Sequence, residues 1–168
     1  MVNGRLLGGA VALPLLIGLA YATTASATPA AGYPDTGSYR PVSSVYIYQV
    51  TNETGVWFTT PLGVRCAIED DGSFGCSGEL PGTPPGIDEV AWFVGDPFPR
   101  LYDAPAQRFS SPDRQAIVNE STYLTYRGTR CAVTPASGVY CIHGQDPNSQ
   151  IMVTSGAILR GAQGLPAT

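Results

Sequence analysis

Downstream of residue 42 the apolar positions fall into short runs separated by Gly, Pro or acidic clusters, and where a period is visible it is two. Ser43 to Val50 is rich in Val, Ile and Tyr and predicts a first strand, closed by a turn at Asn52-Glu53-Thr54-Gly55. Val56 to Thr60 predicts a second, and Pro61-Leu62-Gly63 supplies turn chemistry after it. From Val64 to Glu69 the residues alternate, with Val64, Cys66 and Ile68 on one face and Arg65 and Glu69 on the other. Further apolar runs follow at Val90–Val94, Tyr123–Val133, Val139–Cys141 and Ile151–Thr154, with a short strand and a tail after Ala157. Helical periodicity is weak throughout this region; the linker 95–118 allows one short helix near Pro112–Val118. Eight or nine short strands and an all-β fold are expected.

The strands are written twice. Cys131 follows Cys66, and Cys141 follows Cys76, at one offset (131 − 66 and 141 − 76 both give 65), and Thr60/Thr125, Gly63/Gly128, Arg65/Arg130 and Ala67/Ala132 match at that offset. Two pseudo-repeated hairpin units, about 43–95 and 119–160, are therefore expected to share one core as a sandwich or small barrel, because neither has enough apolar surface alone. Four cysteines permit three pairings, and the repeat favours Cys66–Cys76 with Cys131–Cys141. For Cys66 to face Cys76 the hairpin must centre on Asp71, leaving the loop Asp70-Asp71-Gly72 with Gly where a left-handed residue is wanted. In the second copy the centre is Ala136 while the glycine is Gly138, one position late, so a bulge or a longer loop is expected there.

The amino terminus carries a targeting pattern, and this β domain is expected outside the cytoplasm. Arg5, the apolar run Leu6–Ala20 and Ala25-Ser26-Ala27 form a signal-peptide pattern, with cleavage expected after Ala27 and no membrane insertion afterwards. Residues 28–42 have no periodicity and read as a flexible leader, leaving 43–168 as a single β domain. An exported chain with an even cysteine count reads as disulfide-stapled. A zinc site would need thiolates two to four residues apart; here nine residues separate each pair and His143 is the sole imidazole, so neither metal nor cofactor is expected. All 9 basic residues are Arg and the net charge is −4, which argues against nucleic acid or an anionic membrane as partner. The 20 Gly and 15 Pro suit many short strands joined by turns.

The segment Phe58, Thr60, Pro61, Gly63, Cys66, Ile68, Gly72, Cys76, followed by Leu124, Tyr126, Gly128, Gly138, Val139 and Cys141, resembles small exported proteins and lipoproteins of actinobacteria, mostly of unknown function. The resemblance spans roughly residues 55–155 and implies an envelope location and a β fold. It brings no catalytic residues. The chain departs from the group in lacking a lipobox and in carrying Arg65.

Candidate chemistry is sparse. Any His-dependent hydrolase must use His143, and no Gly-x-Ser-x-Gly elbow accompanies it. Glu69-Asp70-Asp71 offers oxygen ligands without a calcium-loop pattern. Asp88, Glu89, Asp96 and Asp103 are the carboxylates open to paired acid–base work. Trp57 and Trp92, with Phe93 and Tyr48, could form an aromatic platform, although strand aromatics usually pack inside. Arg65 and Arg130, at equivalent outward positions, suit carboxylates or phosphates. The expected function is a secreted, non-enzymatic β domain that binds an extracellular or envelope protein or glycan, with Arg65, Arg130, Trp57 and Trp92 as binding candidates and no catalytic residue. The alternatives are a secreted protease inhibitor and a small hydrolase using His143.

Overall fold

The structure is a computed structural model that describes Met1 and residues 32–166, so the expected cleavage site and residues 28–31 of the expected leader lie outside the described residues. In chain order the strands are β1 (Arg40–Pro41), β2 (Val56–Thr59), β3 (Arg65–Ile68), β4 (Phe74–Ser77), β5 (Glu89–Trp92), β6 (Arg100–Tyr102), β7 (Ala116–Ile117), β8 (Thr122–Tyr126), β9 (Thr129–Val133), β10 (Val139–His143), β11 (Ile151–Val153), β12 (Ile158–Arg160) and β13 (Leu165–Pro166). They form two sheets, ordered β6-β5-β4-β3-β2-β7 and β1-β8-β9-β10-β11-β12-β13. The sheets pack face to face, and neither closes into a barrel. Each is built on a four-strand antiparallel meander, β2–β5 or β8–β11, and each meander carries a two-residue parallel strand on its first edge, β7 on β2 and β1 on β8.

The main core lies between the sheets. Val56, Phe58, Cys66, Ile68, Phe74, Cys76 and Val90 of the first sheet meet Leu124, Cys131, Val133, Val139, Cys141 and Ile151 of the second. Both sulfur bridges are in it: Cys66 pairs with Cys76 and Cys131 with Cys141, each bond joining directly opposed residues of one hairpin. Two disulfides indicate an oxidising environment. Among the described residues no helix is long and apolar enough to cross a membrane.

The first hairpin has the expected register. The Glu69 N–H bonds to the Ser73 carbonyl, the Gly72 N–H bonds back to Glu69, and Gly72 takes φ +93°. The second differs from expectation and has no bulge. Thr134 bonds to Gly138, the Ser137 N–H bonds to the Thr134 carbonyl, and Ser137 itself adopts φ 61°. The two loops thus have the same length, and Ser137 stands where Gly72 stands in the first. Gly138 is small for another reason: a Cβ there would lie 2.8 Å from the Val153 carbonyl.

Four other expectations change. Ser43–Val50 is not a strand: Val45–Tyr48 forms a 3-10 turn packed on β2 and β8, with the Ser44 hydroxyl accepting from the Tyr46 N–H. Its residue types favour a strand, but a strand needs a free neighbouring edge, and β7 and β1 already occupy the outer edges of β2 and β8. The linker helix near Pro112–Val118 is replaced by β7, and the count of strands is thirteen short ones rather than eight or nine. From Gly32 onward the segment read as a leader lies against the second sheet, with Tyr33 buried, its ring beside Tyr140 and its hydroxyl donating to the Gly161 carbonyl.

Candidate functional site

Period-two alternation sends Trp57, Ala67, Gly75 and Ala91, all in register, to the outward face of the first sheet. Three of these four are small, and together they make a trough. Phe109 fills it: a Cβ on Gly75 would sit 2.3 Å from the Phe109 ring. Val50, Trp57, Ala67, Ala91 and Phe109 form a second apolar cluster, with Phe93 and Tyr102 against it, so the first sheet is covered on both faces. The cover is a strap, residues 103–115, crossing from the end of β6 to the start of β7.

Buried polar side chains hold the strap down. The next outward row runs Thr59, Arg65, Ser77, Glu89, Tyr102. Glu89 is fully buried, and its Oε1 accepts from the Ser77 hydroxyl and from the strap N–H groups of Arg108 and, at 3.4 Å, Phe109. Gln115 donates to the carbonyls of Phe58, Cys66 and Phe109 and accepts from the Ser111 N–H. Asp88 accepts from the Ala104 N–H and the Gln107 amide.

Between β6 and the strap lies a cleft of about 340 Å³. Glu89 and Tyr102 line it with Phe93, Arg100, Asp103 and Arg108, and Ala104–Ala106 forms an apolar wall. Glu89 Oε2 and the Tyr102 hydroxyl are both shielded from solvent and have no hydrogen-bonded partner beyond each other. Burial, and then the hydrogen bond to the Glu89 carboxylate and its charge, push the Tyr102 phenol well above its ordinary value. Arg108 is committed elsewhere, forked onto Glu69 at 2.6 and 2.8 Å, and that bond raises its own pKa. Arg100 pairs with Asp96 at 2.8 Å. Both guanidiniums also lie over the Phe93 ring, 5.0 Å (Arg100) and 4.8 Å (Arg108) from its centroid.

The residues singled out in the sequence are dispersed. Trp57 and Trp92 are buried, one in the outer cluster with its indole N–H on the Thr54 carbonyl, the other in the main core with its N–H on Asp96. Tyr48 is buried as well, so these rings form no exposed platform. Arg65 and Arg130 face outward from different sheets and make no common site: Arg65 reaches the Ser110 hydroxyl at 2.6 Å, and Arg130 lies over Tyr123 at 4.2 Å. The three acids of the first hairpin are engaged separately, Glu69 by Arg108, Asp70 by the Tyr126 hydroxyl, and Asp71 by Ser73. Among the described residues no group of three or more His, Cys, Asp or Glu side chains could hold a metal ion.

His143 sits at the junction between the sheets. Its ring stacks on Trp92 at 5.0 Å, and Nδ1 lies 2.9 Å from the Thr129 hydroxyl. That hydroxyl donates to the Gly72 carbonyl, so it accepts from His143, which assigns the proton to Nδ1. No carboxylate orients the ring among the described hydrogen bonds and ion pairs.

The cleft was legible only as loose acids, Glu89 and Asp103 among four, because strand register and the strap decide which of them meet. The small residues at 67, 75 and 91 were the available signal: such a row on a strand face marks something large lying across it. A second groove of about 570 Å³ lies between the proline loop 81–87 and Thr154-Ser155, and Glu79, its lone carboxylate, is exposed. Comparison with protein-family models, with curated proteins and with solved structures finds no match to this chain.

Proposed function

We propose that the protein is a secreted, non-enzymatic β domain that binds an extracellular or envelope component, protein or glycan, in the cleft between β6 and the strap. The observation that carries this reading is the pair of buried polar atoms, Glu89 Oε2 and the Tyr102 hydroxyl, which have no partner beyond each other at a cleft otherwise lined largely by apolar surface. Under-satisfied buried polar atoms are costly in a folded chain, and a ligand that completes their hydrogen bonds recovers that cost. The hydrolase alternative lacks support: all four cysteines are bonded, and the His143 Nδ1 proton is given to Thr129 rather than to a carboxylate. The inhibitor alternative would use a stiff, free loop beside a disulfide, but both hairpin tips are tied to their own fold, through Asp70 to Tyr126 and Ser137 to Glu120.

Export rests on the amino-terminal pattern together with the two disulfides, and the resemblance to small exported actinobacterial proteins is in keeping with both. The shared strand order of the two meanders and the common 65-residue offset of the cysteines support reading the halves as copies of one unit. The test is capture from culture envelope and medium on immobilised protein spanning 28–168. One component is expected to be retained by wild type and by His143→Ala and released by Tyr102→Phe. Retention indifferent to Tyr102→Phe, or an enzymatic turnover that His143→Ala abolishes, would sink the proposal.

A further inference from the structure

We infer that the group recognised in the cleft is a basic side chain, lysine or arginine, of an extended extracellular peptide. This deepens the binding reading above and rests on it. Charge is the first argument. Among the described residues Arg100 is neutralised by Asp96 and Arg108 by Glu69, whereas Glu89 and Asp103 have no cationic partner within ion-pair distance. The cleft is thus left with two uncompensated carboxylates in a chain whose net charge is already −4.

Geometry is the second argument. Glu89 Oε1 is saturated by donors from Ser77, Arg108 and Phe109, while Oε2 has no donor beyond the Tyr102 hydroxyl, and a buried carboxylate oxygen accepts but cannot donate. The acceptor position left on Oε2 calls for a further N–H or O–H donor, and a cationic one answers the charge as well. Shape is the third. Ala104, Pro105, Ala106 and Leu101 provide apolar wall beside the carboxylate, which matches a side chain with a hydrocarbon stem and a charged tip. A sugar ring is the poorer fit, because the Phe93 ring it would stack on is already engaged by two guanidiniums. The peptide form follows from the neighbouring strand: β6 is an edge of its sheet, a place where an extended segment can be received. Since Oε2 and the Tyr102 hydroxyl are shielded, binding requires the exposed Pro105-Ala106 rim to yield, and amides there should report it.

The experiment is an amide-resolved NMR titration of the folded, oxidised protein with four probes: the blocked single residues acetyl-lysine, acetyl-arginine and acetyl-norleucine methylamide, and N-acetylglucosamine. Saturable shifts confined to residues 100–109 are expected with lysine or arginine and not with norleucine at equal concentration. Glu89→Gln, which keeps the acceptor facing the strap, should weaken binding about tenfold, as loss of a shielded charge pair does. If Glu89→Gln does not fold, Asp103→Asn at the exposed rim and Tyr102→Phe take its place, each expected to weaken binding about threefold, a partly screened effect. Equal shifts with norleucine, unaltered binding in Asp103→Asn and Tyr102→Phe, shifts with the sugar alone, or no shift with any probe would overturn the inference. If envelope capture is still lost in Tyr102→Phe while the cationic probes fail, the cleft remains a binding site and only its assigned ligand falls.

Discussion

The Phe109 ring rests directly on the backbone of Gly75, so close that a Cβ at Gly75 would come within 2.3 Å of it. Strand β4 therefore has no room for a side chain at its outward position, and the strap is seated by a steric fit from below and by Glu89 from the side. Gly75→Ala should destabilise the protein by about 1–3 kcal/mol through overpacking. Phe109→Ala should cost more, about 3–5 kcal/mol, because it empties the trough. Denaturant unfolding measures both. The strap should also become the preferred site of proteolytic nicking in either variant.

Each sulfur bridge closes a loop of sequence separation 10. Loop-closure entropy for so short a ring corresponds to roughly 2–3 kcal/mol per bond. Replacing Cys66 and Cys76 together by Ala, or Cys131 and Cys141 together, should lower stability by that amount in separate unfolding experiments. Peptide mass mapping of the native protein should return these two pairings and no link between the halves.

The two hairpin loops share a length but place glycine differently, and substitutions should separate the two roles. Gly138→Ala should destabilise by about 1–3 kcal/mol, since its Cβ would press on the Val153 carbonyl. Ser137→Gly should stay within about 1 kcal/mol of wild type, because relief of the left-handed conformation offsets the lost hydrogen bond to Glu120. Thermal unfolding of the pair suffices. Equal losses would show that the loop, and not the close approach of β11, governs position 138.

Alkaline stability should be set by buried phenols. Burial pushes Tyr140 from 10.0 up to about 12 and moves Tyr33 and Tyr102 higher still. A raised folded value means the folded chain keeps its proton where the unfolded chain has lost it. The stabilisation is therefore complete below pH 10 and falls as pH climbs through the folded values. Each phenol contributes a slope of up to about 1.4 kcal/mol per pH unit. Denaturation midpoints should hold steady to about pH 9.5 and drop steeply between about 10 and 12. Tyr140→Phe should flatten that drop while costing about 1 kcal/mol at neutral pH, from the lost bond to Gln150. A pH-independent midpoint across this range would refute the assignment.

Local chemistry carried much of the fold. The two cysteine pairs, the centre of the first hairpin at Asp71 and the inward set Val64, Cys66, Ile68 and Phe74 follow from alternation and turn residues, both of which act over a few positions. The segment Val45–Tyr48 shows the limit of that reasoning. Its β-rich residues describe what could pair, whereas whether an edge is free depends on β7 and on the pairing of β1 with β8, and both β7 and β8 are distant in sequence. Ser137 shows another: a non-glycine residue can hold the left-handed position when the surrounding hairpin imposes it.

The chain alone determined an all-β, disulfide-pinned architecture with an acidic balance, because strand period, turn chemistry and cysteine spacing are short-range properties. Only the tertiary structure decided that Trp57, Trp92 and His143 are packing residues, that Arg65 and Arg130 point away from one another on separate sheets, and that Glu89 and Tyr102 meet beneath a strap. The reason is register. Two side chains form a site when strands and crossing segments set them side by side, and that placement is the outcome of the whole core closing at once.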